Sequence, residues 1–408
     1  VSTGSPPPPV ALLRNHNYRL FLAAQISGGT GVWMLRISQD WLVLELTGSA
    51  AAVGVVVALQ FAPLVALGPM GGVVADRHDK RHLVMGAQSA AAVLAAVLAA
   101  LTVGGLVTAP VLYLFAVLSG LVSVIDQPAR QVLVNELVGD TQLRSAISTN
   151  NALNQLSGMV GPAAAGALVH WAGQGWAFAG NAVLCAVVVV LVAAMRTHEM
   201  YRVPTVARAR GQLAAGWRYV VDRPRLLWVV VLAGFLGAFG MNGPVVLAAF
   251  ADFEWGTGSG GFGLYSSLGA VGGLFGAVAA ARLRTLRART VAVAAALFGV
   301  VEVGAALAPT HASFLVMLVL VGAATLFFLT CAGSFVQLTA EPSVRGRVMA
   351  FYMPTLLGGH AAGGLIQGWF TEHLGVRGGL VLTGCLAVVA TAAVALALRR
   401  ATRPTEPD

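Results

Sequence analysis

Twelve apolar stretches follow one another along the chain, running roughly 20–44, 51–74, 83–106, 110–133, 146–169, 176–195, 226–250, 261–281, 290–308, 312–336, 348–370 and 378–398. An α-helix rises 1.5 Å per residue, so each stretch is close to the ~20 residues that cross about 30 Å of hydrocarbon. A soluble domain keeps about a quarter of its residues charged. Here the charged fraction is 10% and the hydrophobic fraction 57%, too little polar surface to coat a globule in water. The expected fold is an all-α membrane protein, with twelve transmembrane helices in two pseudo-symmetric six-helix bundles. Its expected parts are a disordered Pro-rich tail over 1–14, a first bundle over 15–196, a cytoplasmic linker over 197–222, a second bundle over 223–400 and a tail over 401–408. No cleavable signal peptide is expected, so the first span serves as the targeting element.

The basic residues set the orientation. With both termini cytoplasmic, 23 of the 25 lysines and arginines fall in inner segments, and only Arg36 and Arg377 fall elsewhere. The positive-inside rule therefore predicts a multi-pass protein of the bacterial cytoplasmic (inner) membrane with both ends inside. The +9 net charge then faces anionic lipid headgroups. Nucleic acid is the rival partner for a basic chain, but the arginines are scattered over short loops at helix ends, so none is expected. The cysteines Cys185, Cys331 and Cys385 lie inside apolar runs with no metal-ligand spacing, and read as small buried hydrophobes. Neither metal nor cofactor is expected.

The two halves echo one another. Gly72 before Arg77 recurs as Gly276 before Arg282, and Gly173 recurs as Gly375, at offsets of 204 and 202 residues. A duplicated six-helix unit explains both.

The loop after the second span reads Gly72-Val-Val-Ala-Asp76-Arg77-His78-Asp79-Lys80-Arg81. Glycines at 68, 71 and 72 let that helix approach a neighbouring backbone, and Asp76 sits at the rim, where it can pair with an arginine or meet a helix N-terminus. This loop resembles the signature loop of the major facilitator superfamily. The resemblance implies a cytoplasmic gate made of Gly72, Asp76, Arg77, Lys80 and Arg81, although Asp79 stands where the family's second glycine is usual. The second-half copy keeps Gly276 and the basic residues Arg282, Arg284, Arg287 and Arg289, with Ala280 in place of the acid.

A further motif, Ser157-Gly158-Met-Val-Gly161-Pro162-Ala-Ala-Ala-Gly166, resembles the Gly-Pro motif of the superfamily's antiporters. Small residues at this spacing make a smooth packing face, and Pro162 removes one helical hydrogen bond. The alternative is an ordinary packing seam. Gln39-Asp40-Trp41 before Leu46-Thr47-Gly48-Ser49, Asp126-Gln-Pro128-Ala-Arg130-Gln131 and Arg345-Gly346-Arg347-Val348-Met349 together resemble the third drug:proton antiporter group. That group includes macrolide and tetracycline-type efflux pumps and enterobactin exporters.

An ion-driven exporter needs an acid on its pathway that alternates between protonated and ionised forms. Ionisable groups inside the spans are few and costly unless paired or hydrated. The proton-coupling candidates are Asp40 with Arg36, one turn apart on one face, together with Glu302 and His360. The bland readings are a structural ion pair, an acid reaching the outer surface and a packed histidine. Asp126 and Arg130 join Asp76 in an expected cytoplasmic charge network, against static helix capping. Substrate-pocket candidates are Gln60, Asn151, Asn154 and Asn242. Asn151, Asn154 and Gly158 share a helix face.

No phosphate-binding Gly-Lys-Ser/Thr loop, nucleophile elbow or His-Glu-x-x-His is present, so no enzymatic activity is expected. The expected function is proton-coupled efflux of amphipathic small molecules, drugs or siderophore-like metabolites, by a monomer using alternating access. The expected partners are that substrate, protons and membrane lipids. A lipid or lysophospholipid transporter, or an uptake symporter of the same fold, is the alternative. A membrane receptor or embedded enzyme would need a catalytic dyad or an outer domain.

Overall fold

The computed structural model describes residues 15–201, 212–283, 285–341 and 344–401. The Pro-rich tail, residues 202–211 of the linker, Arg284 and all but Ala401 of the C-terminal tail lie outside them. Every regular element among the described residues is helical. In chain order these are α1 (His16–Thr47), α2 (Ala50–Arg77), α3 (Lys80–Val103), α4 (Ala109–Ala172), α5 (Gln174–Ala193), α6 (Gln212–Val221), α7 (Pro224–Gly240), α8 (Gly243–Ala249), α9 (Gly258–Ala281), α10 (Ala288–Ala306), α11 (His311–Thr339) and α12 (Arg345–Ala401). A single 3₁₀ turn, Thr197–Glu199, follows α5, and a π-helical turn, Phe250–Glu254, continues α8.

Nine helical segments among the described residues are long and apolar enough to cross a bilayer. The expected spans map onto the elements with some mergers. Spans four and five both lie in α4, where a break over 134–145 was expected but helical hydrogen bonding runs unbroken. No proline interrupts that stretch, and Glu136, Leu137, Gln142, Leu143 and Arg144 are good helix formers that carry the helix across the poorer Gly139, Asp140 and Thr141. Spans eleven and twelve both lie in α12, as two arms meeting at Gly375, whose φ of 76° only glycine adopts readily. Span seven is split, with α7 stopping at Gly240 and α8 restarting beside Pro244. The first span, α1, is 32 residues long and carries Arg36, Asp40 and Glu45 in its second half.

Packing divides the chain into two compact units, Val1–Leu42 with Ala62–Ala207, and Val43–Phe61 with Arg208–Asp408. The first three turns of α2 therefore belong to the second unit and its remainder to the first. In the first unit a core of Tyr18, Phe21, Leu133, Leu137, Val188 and Val192 is almost wholly buried. In the second, Leu226, Val229, Phe298, Phe328, Phe335 and Tyr352 play that part. Outside these cores Val93, Val190, Phe275, Val300, Val316 and Val389 are exposed. Helices that are apolar on their outward faces as well as inward suit hydrocarbon as the surrounding solvent.

Glycine sets the helix spacing in the second unit. A Cβ at Gly272 or Gly276 of α9 would overlap the carbonyl oxygens of Val319 and Ala323 on α11, and one at Gly322 would overlap that of Gly269. This is the close backbone approach that small residues permit between membrane helices.

Candidate functional site

In the first unit, α1 and α4 meet along a seam of glycines and polar side chains. Arg130 donates from Nε to Asp126 Oδ2 at 2.8 Å and from Nη1 to Gln25 Oε1 at 2.7 Å. Gln25 in turn donates to Asn150 Oδ1 at 2.7 Å. The chain Asp126–Arg130–Gln25–Asn150 thus ties two parts of α4 through α1, and Gly28 leaves the space that the guanidinium fills. Asp126 Oδ1 and Arg130 Nη2 are left without a partner. Both side chains are nearly buried, so the pair is charge-assisted and weakly screened.

Further along the seam, Gly29 faces Ser157, and Gly158 and Gly161 face Trp33. Pro162 and Gly166 are buried in the same stretch of α4. The Gly-Pro motif is thus the surface on which α1 lies. One turn beyond Trp33, the Arg36 guanidinium sits 5.9 Å from the indole centroid. The neighbouring carboxylate that acts on Arg36 is Asp40. Asp40 is 1% exposed and flanked by Gln39, fully buried. Asn154 is exposed beside Gly29, and the side chain of Asn151 lies outside the described residues.

The signature loop is short, with His78 and Asp79 alone separating α2 from α3. Asp79 caps α3, its Oδ1 accepting from His82 N at 2.9 Å. The residue that departs from the usual glycine therefore takes over helix capping, which stabilises a helix start by about 1 kcal/mol. Lys80 pairs with Glu136 at 3.2 Å. Arg81 donates to the Val192 and Ala193 carbonyls at 3.0 and 2.6 Å, satisfying the open end of α5. Asp76 is half-buried and Arg77 exposed. Of the loop's neighbouring glycines, Gly71 makes the close approach, against the Val124 carbonyl, while Gly68 faces open space.

The second unit holds Gln60, Asn242, Glu302 and His360. All four are at most 5% exposed. Glu302 lies on the inward face of α10 with Phe298, Gly299 and Ala305, and its Oε2 has no hydrogen-bond partner. His360 meets the edge of Phe61 with ring centroids 4.3 Å apart. Asn242 occupies the gap between α7 and α8, where its Nδ2 donates to the Ala238 and Gly237 carbonyls that the broken helix leaves open. Arg377, one of the two arginines outside the expected inner segments, has a local task. It pairs with Glu254 at 2.6 Å and donates to the carbonyls of Ala306 and Ala308 at the end of α10.

Several polar residues here were not singled out from the sequence. Gln25 joins the Arg130 network. Glu372 accepts from Ser49 Oγ at 2.8 Å and Ala51 N at 3.3 Å, holding the start of α2. Gln367 is fully buried with neither amide atom bonded. The available signal was spacing, since Gln367 lies seven residues, two turns, from His360.

Helices apolar on every side, buried ion pairs within them and two compact helical units define a membrane transporter of the major facilitator type. The model of the transmembrane secretion effector family matches residues 8–406, and the chain belongs to that family. Its sequence is 27% identical over 140 residues to the staphyloferrin A transporter of Staphylococcus aureus, covering 34% of this chain and 35% of that one. It is 28% identical over 173 residues to macrolide efflux protein A of Streptococcus pyogenes, covering 42% and 41%. The chain thus matches well under half the length of these relatives. In fold it is similar to a bacterial homologue of the human lysosomal transporter Spinster, with a TM-score of 0.74, 15% identity and 97% and 98% of the two chains covered.

Proposed function

We propose that the chain exports amphipathic small molecules across the bacterial cytoplasmic membrane by exchange for protons, through alternating access. The observation that carries this reading is Asp40, 1% exposed in α1 and one turn from half-buried Arg36. A carboxylate held inside a span beside a guanidinium has two arrangements, paired and ionised or protonated and released. Entry of a proton frees Arg36, and return of the substrate-free state restores the pair. Glu302, buried in α10 with one oxygen unpartnered, is the second candidate carrier.

Further support comes from the efflux relative and from the Gly-Pro motif lying along α1, the helix that bears Asp40. The basic ends face the cytoplasm in this reading, which places Asp76, Arg77, Lys80, Arg81, Asp126 and Arg130 at an inner gate. In this reading the moving halves are the expected bundles, 15–196 and 223–400, and the chain works as a monomer.

The test is energised efflux of preloaded lipophilic cations and antibiotics from an efflux-deficient bacterium, with and without a protonophore. Faster efflux that collapses with the protonophore, and is lost in Asp40→Asn at normal expression, is the expected result. No efflux of any compound from cells that contain the protein would shift the substrate to a lipid or a dedicated metabolite. Efflux retained in both Asp40→Asn and Glu302→Gln would remove both acids from coupling.

A further inference from the structure

The first arm of α12 presents two smooth faces. On one, a Cβ at Gly359 or Gly363 would overlap the Gly234 and Ala238 carbonyl oxygens of α7. On the other, Gly364 and Gly368 lie against the backbone of Gly54 and Ala50 in the first turns of α2. At 100° per residue, His360, Gln367 and Thr371 fall in the narrow strip between these faces, pointing into the wedge that α7 and α2 bound. They are 3%, 0% and 4% exposed. Asn242, 1% exposed, meets α12 from the break between α7 and α8, where its amide nitrogen lies against Gly363.

The polar atoms of this wedge are left over. Both amide atoms of Gln367, the hydroxyl of Thr371 and Oδ1 of Asn242 have no hydrogen-bond partner. A buried amide with neither end bonded is a costly feature in an interior that Leu or Ala would fill at no such cost. The strip residues His360, Gln367 and Thr371 include no carboxylate, lysine or arginine, and Phe61 stands edge-on to His360. Neutral donors and acceptors beside an aromatic wall match the chemistry of an amphiphile rather than an ion.

We propose that Gln367, Thr371 and Asn242, with His360, form a solute-binding track that hydrogen-bonds the neutral hydroxyl, carbonyl or amide groups of an amphipathic substrate. This rests on the transport reading above and names the substrate chemistry. The unbonded atoms are then sites whose partner is the solute. Asn242 gives its nitrogen to the broken helix and keeps its oxygen for the ligand, so the break in α7 is part of the site.

The first experiment labels single cysteines with a membrane-impermeant methanethiosulfonate cation, in native membranes, after Cys185, Cys331 and Cys385 have been replaced. Gln367→Cys and Thr371→Cys are expected to react at least about tenfold faster than Leu365→Cys on the exposed face of the same arm. Equal rates overturn the track as part of the pathway. This readout needs neither proton coupling nor a known substrate, so it is separate from the export test.

The second compares export of a macrolide, rich in hydroxyls and carbonyls, with that of tetraphenylphosphonium, which has no hydrogen-bonding group. In Gln367→Leu the loss is expected to be at least about tenfold greater for the macrolide, since a site built to hydrogen-bond discriminates strongly on that bond. Equal losses, or no loss, overturn the hydrogen-bonding role. A wild-type chain that exports neither compound counts against the export reading, while the labelling still decides the track.

Discussion

The seam between α1 and α4 and the wedge where α12 meets α7 and α2 are built from the same parts. Each packs glycine against backbone and buries amides among apolar side chains. They differ in where the polar atoms end. In the first, Asp126, Arg130, Gln25 and Asn150 bond to one another in sequence, with one oxygen and one nitrogen to spare. In the second, Gln367 bonds to nothing and Asn242 and Thr371 each keep an atom unbonded. A network closed on itself fixes helix positions, while one left open marks a place whose partner comes from outside the chain.

The contrast breaks most visibly at Arg130. Arg130→Met leaves the Asp126 carboxylate buried without its partner and is expected to cost about 3–5 kcal/mol, read as a collapse of the folded fraction in detergent. The double variant with Asp126→Asn should recover much of that loss, and failure to recover would mean the guanidinium works through other contacts. Next in size is Gly363→Val, which forces a side chain into the Ala238 carbonyl. Overpacking of this kind costs about 1–3 kcal/mol, and an unchanged melting temperature would show that α12 can slide away from α7.

Smaller effects sharpen the difference. Ser49→Ala removes one hydrogen bond to Glu372 and the cap at the start of α2, for about 1 kcal/mol. Smallest of all should be Gln367→Leu, which deletes two unbonded polar atoms and leaves thermal stability within about 0.5 kcal/mol or slightly raised. A large drop in melting temperature there would make Gln367 a structural residue and align the two seams after all.

Much of the architecture was legible in the sequence because hydrocarbon imposes a coarse rule on length and polarity. The repeat was readable too. Gly173 and Gly375, matched by offset alone, share nearly one backbone conformation, φ 88° and ψ 167° against φ 76° and ψ 165°. Gly173 separates α4 from α5, and Gly375 separates the arms of α12. Other features needed three dimensions. Arg377 stands outside the positive-inside pattern because it closes the end of α10, which spacing along one chain does not reveal. Asp79 is a helix cap where a glycine turn was the family's habit.

The site was only half legible for a physical reason. A helical wheel says which residues share a face, but not what that face meets. His360 and Asn242 stood out as rare polar residues in apolar runs. Gln367, Thr371 and Glu372 became informative only once α7 and the start of α2 were seen to flank their helix. The continuous α4 is the converse case, where a loop was expected from the hydropathy minimum over 134–145 although no proline there stops a helix.

In the export cycle proposed above, a proton moves through this chain when an amphiphile does, with Asp40 as carrier. Purified protein in liposomes loaded with a pH-sensitive dye tests it most directly, by adding a macrolide on one side and following lumenal pH. The expected result is a pH change that needs both protein and macrolide and disappears in Asp40→Asn. Macrolide movement with no pH change, or a full pH response in Asp40→Asn, would contradict it.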